Sequence, residues 1–189
     1  MGMPNIAKQW TREEVQALPD DGNRYELLDG ELLVSPSPKA IHQLAVFRLY
    51  ERIYPYVSKH GLGETGLAPS DLDLKSGQSL QPDLFAVEVS TPRGQEPKWE
   101  HFGIPFLIVE VLSPSTALYD RNKKRVRFQR SGVSEYWILD PHARLIERWR
   151  PDDQRPEILT ELIQWQPRQD IPPLTIDLGE FFQAVWRES

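Results

Sequence analysis

The sequence predicts one α/β domain, and three patterns in its 189 residues carry that prediction. Two apolar runs flank an Asp-Gly dipeptide at 29 and 30, an apolar stripe at helical spacing follows from His42 to Ile53, and short extended runs then alternate with proline-bearing connections. A chain of this length can bury one proper core and needs no second. The expected unit is a single domain over 1–189, with a core at about 24–150 and a C-terminal extension over 151–189.

Each element has a local cause. Thr11 followed by Glu14 forms a capping box, which predicts a short helix over about 12–17 that ends before Pro19. RYELL and ELLVS around Asp29 and Gly30 predict an N-terminal β-hairpin, because that dipeptide tolerates the positive φ angles of a two-residue turn. Ser37 ahead of Pro38 reads as an N-cap before a first-turn proline, opening a long helix toward Ser58. Gly61 would terminate that helix, and Pro55 would end it early or kink it. Within it His42, Ala45, Val46, Leu49 and Ile53 form one buried stripe facing the sheet.

Extended runs are expected at about 67–74, 83–89 and 106–112. The connection over 90–105, with Pro92, Gly94, Pro97 and Trp99, reads as a mobile surface loop near whatever the strands present. Ser113, Pro114, Ser115 and Thr116 would cap a second helix over 117–131, closed by Gly132. EYWILD reads as a buried strand, and after Asp140 and Pro141 the alternation in LIERWR suits an edge or half-exposed strand. The proline-rich tail suggests strands near 158–162 and 174–177 and a short apolar helix over 181–186.

Composition narrows the function. Without cysteine there is no disulfide framework and no thiolate metal site, which fits a reducing compartment and makes zinc a poor candidate. The longest apolar stretch, 104–112, is far below the roughly 20 residues of a spanning helix and contains Glu110. Gln9, Arg12, Glu13 and Glu14 interrupt any signal-peptide pattern, so a cytoplasmic protein with no membrane partner is expected. A net charge of -6 repels nucleic acid on average, so a nucleic-acid partner requires local basic charge. The decapeptide RNKKRVRFQR at 121–130 supplies six basic residues and no acid, although a solvated helix face explains it equally well.

Two acids stand where an apolar strand should not carry charge: Asp83 opens DLFAVEV and Glu110 interrupts PFLIVEVL. A buried carboxylate costs several kcal/mol unless it is paired, hydrogen-bonded or metal-bound, so each position calls for a partner. If the strands are adjacent the two can share a hard divalent cation such as magnesium, which favours carboxylate oxygens and retains waters. The competing explanation is that each acid ends its strand or pairs with an arginine. On a helical wheel Lys124 lies one turn after Asp120 and near Ala117 and Phe128, so it points inward as a catalytic cation, or snorkels as the partner of Asp120.

Pro82 with Asp83, VEVLSPST at 109–116, DRNKK at 120–124 and GVSEYWILDP at 132–141 together resemble the Uma-two family of restriction-endonuclease-like proteins, within the PD-(D/E)XK nuclease superfamily. The upstream ELLDGELLVSPSP followed by His42 matches the same family, so the resemblance covers about 24–150. It implies a restriction-endonuclease-like fold, a mixed central β-sheet flanked by helices. It also implies metal, magnesium or manganese, on Asp83 and Glu110, with phosphodiester cleavage in DNA as the reaction and a homodimer as the assembly. Leu112 stands where the superfamily normally has a catalytic lysine, and Lys124 is the position matching a lysine relocated to the next helix. Phe128 stands where relatives often carry tyrosine. Glu31 and His42 are further candidates, as an outer metal ligand and a phosphate or water contact, against the plainer readings of a solvent-facing strand residue and a satisfied core histidine.

Other signals carry no chemistry. GLGETG at 61–66 has the letters of a dinucleotide loop but follows a helix and leads into a strand, the reverse of the required order. The histidines at 42, 60, 101 and 142 lack metal-ligand spacing, and Trp137 and Trp149 read as sheet-face residues. Two rival readings remain: a nuclease-like module that binds nucleic acid or a protein without turnover, and a structural protein whose acids pair with arginines such as Arg125.

Overall fold

A computed structural model describes residues 8–72, 79–91, 94–96, 98, 101–114 and 116–188. The elements run α1 (Arg12–Gln16), β1 (Arg24–Leu28), β2 (Glu31–Ser35), α2 (Ala40–Lys59), β3 (Glu64–Leu67), β4 (Leu84–Val87) and β5 (Leu107–Val111). A helical stretch follows: α3 (Ala117–Tyr119), a π-helical turn (Asp120–Lys124) and α4 (Arg125–Arg130). Then come β6 (Glu135–Asp140), β7 (Leu145–Trp149), β8 (Glu157–Leu159), β9 (Leu162–Trp165), β10 (Leu174–Asp177) and α5 (Leu178–Trp186).

Six strands form a mixed sheet in the order β3-β4-β5-β6-β7-β8, in which only β5 and β6 are parallel. That parallel step needs a crossover, and the helical stretch 117–130 provides it. β1 and β2 form the expected hairpin, with Asp29 at φ 51° and Gly30 at φ 79°, both positive as a two-residue turn of this kind demands.

Side-chain alternation sends the sheet's two faces into two cores. Leu84, Ala86, Val109, Val111, Trp137 and Leu139 meet α2 and α5 on one face. Phe85, Val87, Ile108, Tyr136 and Ile138 meet Phe128 and Leu28, from the crossover and the hairpin, on the other. Residues after 150 are part of this packing, since Trp165, Ile176, Phe181 and Phe182 are fully buried in the first core.

Several local expectations need correction. α2 begins at Ala40 with Lys39 as an uncapped N-cap, and the Ser37 hydroxyl donates instead to the Gly22 carbonyl. Pro55 lies inside α2, which continues to Lys59. β3 starts before Gly66 and ends at Leu67, after which Leu72 makes only an isolated bridge to Leu80, and Asp73 and Leu74 lie outside the described residues. The second helix is broken by a π turn, and its N-cap Thr116 makes no side-chain cap. Ser115, Pro92, Pro97 and Trp99 lie outside the described residues. β7 is an interior strand, because β8 pairs along its other edge, and its buried Glu147 and Arg148 are compensated by ion pairs to Arg121 and Glu157. The run near 158–162 resolves into β8 and β9.

Gly66, within GLGETG, has a packing role: a Cβ there would lie 2.1 Å from the Phe85 ring. Gly66→Ala is expected to lower stability by about 1–3 kcal/mol through overpacking against a fully buried side chain, read as a reduced midpoint in chemical denaturation.

Candidate functional site

The site grows from the register of β4 and β5. Leu84 pairs with Val109, which sets Asp83 opposite Glu110 at the outer end of the ladder. Val109 and Val111 face the first core, so Glu110 faces the crossover, and there the Lys124 ammonium meets it at 2.9 Å. Lys124 also donates to Glu26 at 2.9 Å and lies 3.7 Å from Asp120. Lys124 is 0% exposed, and Glu26, Glu110 and Asp120 are at most 2% exposed. Four ionisable side chains share one enclosed site because three elements meet there: β1 brings Glu26, β5 brings Glu110 and the π turn brings Asp120 and Lys124.

The π turn makes this geometry possible. A wider turn accommodates one residue more than an α-turn and frees backbone carbonyls, and such turns recur at functional positions. Here both Asp120 and Lys124 are buried, and the Asp120 carbonyl accepts from the Tyr136 hydroxyl at 3.2 Å. Phe128, one turn later, is fully buried beside the Tyr136 ring. Leu112, two residues after Glu110, is absorbed into the second apolar core.

Asp83 is held from three sides. Its Oδ1 accepts from the Arg24 guanidinium at 2.8 Å, and its Oδ2 accepts from the Val111 amide at 2.8 Å and lies 3.0 Å from His42 Nε2. Burial opposes its charge, but the His42 hydrogen bond and charge, Arg24 and the Val111 amide outweigh it and keep the carboxyl well below its ordinary range. Glu110 moves the other way. Burial raises its pKa, and neighbouring Asp83, Asp120 and Glu26 add to the rise against the pull of Lys124. Burial likewise raises Asp120. Burial works against the Lys124 ammonium, yet Glu110, Glu26 and Asp120 together raise its pKa, so it stays charged.

The region holds four buried carboxylates, Glu26, Asp83, Glu110 and Asp120, against the two cations Arg24 and Lys124. Asp120 Oδ1 is buried without a hydrogen-bond partner. Among the described residues no three His, Asp or Glu side chains are arranged to hold a metal ion. A site of two carboxylates completed by waters fits magnesium, however, and Asp83 and Glu110 are the pair on facing strands.

A cavity of about 730 Å³ opens over Asp83, Arg24 and His42 and extends to the first turn of α2 and the loop after β5. His42, predicted from its place at the start of the α2 stripe, thus reaches the site directly. Glu31 does not: it is exposed on β2 and ion-paired with Lys123. Arg24 and Glu26 were not singled out from the sequence. The signal for Glu26 was present, an acid followed by two leucines in an apolar strand, the same anomaly that marked Glu110.

The basic decapeptide is largely committed within the molecule. Arg121 pairs with Glu147, Lys123 with Glu31, Lys124 with the acids and Arg127 with Asp29 at 3.8 Å, while Arg125 lies over the Trp149 ring. Glu110 therefore pairs with Lys124, and Arg125 makes no pair with the acids; its guanidinium bonds Arg121 and Gln129.

A mixed sheet covered by helices on both faces thus gathers acids from adjacent strands and a lysine from the crossover into one buried cluster. A sequence model of the Uma2 family, described as "Putative restriction endonuclease", matches residues 12–179, and the chain belongs to that family. An uncharacterized protein of Synechocystis is 27% identical over 162 residues, covering 83% of this chain and 86% of its own length. The fold is also that of a crystal structure described as a "putative nuclease belonging to DUF820" from Anabaena variabilis, with TM-score 0.75, 19% identity, and coverage of 93% of this chain and 99% of that one. Among the described residues no helix is long and apolar enough to cross a membrane.

The opposed pKa shifts set a testable pH dependence. Asp83, held low, contributes stability that is present above its unfolded value of 3.8 and lost as pH falls through the folded one. Glu110, held high, contributes stability below 4.5 that is lost as pH rises through its folded value. Lys124→Met removes the ammonium from three acids, and denaturant melts should show a loss of about 3–5 kcal/mol at neutral pH. Part of that loss should return as the solution is acidified and the raised acids take up protons.

Proposed function

We propose that this chain is a metal-dependent endonuclease that hydrolyses phosphodiester bonds in DNA. The observation that carries the reading is a convergence of acids: Glu26, Asp83, Glu110 and Asp120 are buried together around Arg24 and Lys124, and Asp83 and Glu110 stand opposite each other at the ends of facing strands, where a divalent ion would compete with the proton that burial favours on Glu110. Asp83 and Glu110 would hold it, with magnesium or manganese as the ion, because the donors are hard oxygens and the chain has no cysteine. The bound ion supplies Lewis-acid stabilisation of phosphate charge and a more acidic water.

The protein groups divide the remaining tasks. Lys124, kept protonated, acts as a donor, orienting the attacking water and offsetting charge on the phosphate oxygens. Glu26 and Asp120 hold that ammonium in place. Arg24 and His42 border the cavity beside Asp83, where they would serve as donors to a phosphate. Two copies in a homodimer would supply one site for each strand of a duplex.

A second reading has its own support. Lys124 is fully enclosed by carboxylates and both Asp83 oxygens already have donors, an arrangement that also suits a nuclease-fold module that binds without turnover.

The discriminating variants are Asp83→Asn and Glu110→Gln, which keep shape and remove charge. Plasmid nicking in manganese should fall about 100- to 1,000-fold in each, while both variants remain folded without metal, Asp83→Asn with a lower Tm because Arg24, His42 and the Val111 amide lose a carboxylate partner. Wild-type protein that binds plasmid but never nicks it in magnesium or manganese would establish the binding module instead. Manganese affinity should rise with pH, since burial raises the pKa of Glu110 and the metal must compete with its proton. Calorimetry in two buffers of different ionisation enthalpy would detect the release of that proton.

A further inference from the structure

We propose that the N-terminus of α2 is a phosphate subsite, which seats a backbone phosphate of the nucleic-acid strand beside the acids; this rests on reading those acids as a nuclease site.

The first turn of any helix leaves N–H groups without intrahelical partners, and most helices satisfy one with a side-chain oxygen. α2 does not. It is 20 residues long, its N-cap Lys39 supplies no side-chain acceptor, and its first turn holds no acid. The serine that could cap it, Ser37, donates to Gly22 instead. Aligned peptide dipoles and free amides therefore meet the solvent as an anion site, flanked by the Lys39 charge.

Independent side-chain observations point to a ligand there. Ser35 is 4% exposed and its hydroxyl has no hydrogen-bond partner. His42 is 8% exposed, and while its Nε2 faces Asp83 its Nδ1 has no partner. Buried polar atoms are seldom left unsatisfied. Both residues line the same cavity as Lys39, Arg24 and Asp83, so the uncapped turn, the two residues with unpartnered atoms and the outermost acid border one space. A phosphodiester in that space would accept hydrogen bonds from the helix amides, and from the Ser35 hydroxyl once that enclosed side chain rotates toward the cavity. The same strand's neighbouring phosphate would then lie toward Asp83. The decapeptide at 121–130 offers no comparable site, because its cations are largely paired internally.

Three substitutions at residues outside the acid cluster test this, using a fluorescently labelled single-stranded oligonucleotide in EDTA, with inorganic phosphate as competitor. Lys39→Asp adds a good N-cap, so its Tm should match or exceed wild type, while the new carboxylate occupies the amides and oligonucleotide affinity falls by about tenfold or more. Lys39→Gln removes the charge alone and should weaken binding less than Lys39→Asp does. Ser35→Ala should weaken it severalfold, and phosphate should displace the oligonucleotide from wild type at lower concentration than from Lys39→Asp. Affinity unchanged in Lys39→Asp, or wild-type protein that fails to bind the oligonucleotide, overturns the subsite. Because metal is absent, the outcome is separate from the nuclease reading: cleavage with unchanged binding in Lys39→Asp removes only the subsite, and binding as expected without metal-dependent cleavage removes only turnover.

Discussion

The Lys124 ammonium, fully buried among Glu26, Glu110 and Asp120, is the interaction on which the arrangement of this protein depends. Enclosing one cation and three acids away from water is costly unless each finds partners at hydrogen-bond distance. The hairpin must therefore bring Glu26 from β1, the sheet must bring Glu110 from β5, and the crossover must bring Asp120 and Lys124 from its π turn. A shift of any of these three units would strand a charge. The cluster thus couples the hairpin to the sheet, alongside the Arg24 pair with Asp83 and the packing of Leu28 in the second core.

Asp83 belongs to the same electrostatic system but to a different environment. Its neighbours are Arg24, His42 and a backbone amide, and it borders the open cavity, whereas Glu110 sits behind it against Lys124. Two carboxylates on facing strands are consequently pushed in opposite directions, one held ionised and the other inclined to keep a proton. Such divergence between neighbouring acids is common where a site must accept a cation and do proton chemistry. Family membership and the shared fold give this arrangement a nuclease context without assigning its metal or its substrate.

Much of the architecture was legible in the chain. The capping box at Thr11 and Glu14, the Asp29-Gly30 turn, the buried stripe of α2 and the strand EYWILD all appear where local rules put them, because each depends on neighbours a few residues away. Asp83 and Glu110 were visible as charges in apolar strands, and Lys124 as the inward position of the crossover helix. Glu31 illustrates the limit. It stands in the hairpin like Glu26, but the hairpin's placement turns Glu26 into the interior and leaves Glu31 beside Lys123 at the surface.

The sequence by itself determined the periodicities, the turn chemistry and the acids that needed partners, since these follow from backbone preference and the cost of burying charge. Only the tertiary structure decided who those partners are. Arg24 and Glu26 lie 59 and 84 residues from Asp83 and Glu110, and no local pattern encodes a meeting across such a separation. The π turn, the uncapped start of α2 and the internal neutralisation of the basic decapeptide are likewise products of packing. Each exchanges a locally favoured arrangement for one that charge balance and close contact in the assembled fold make more stable.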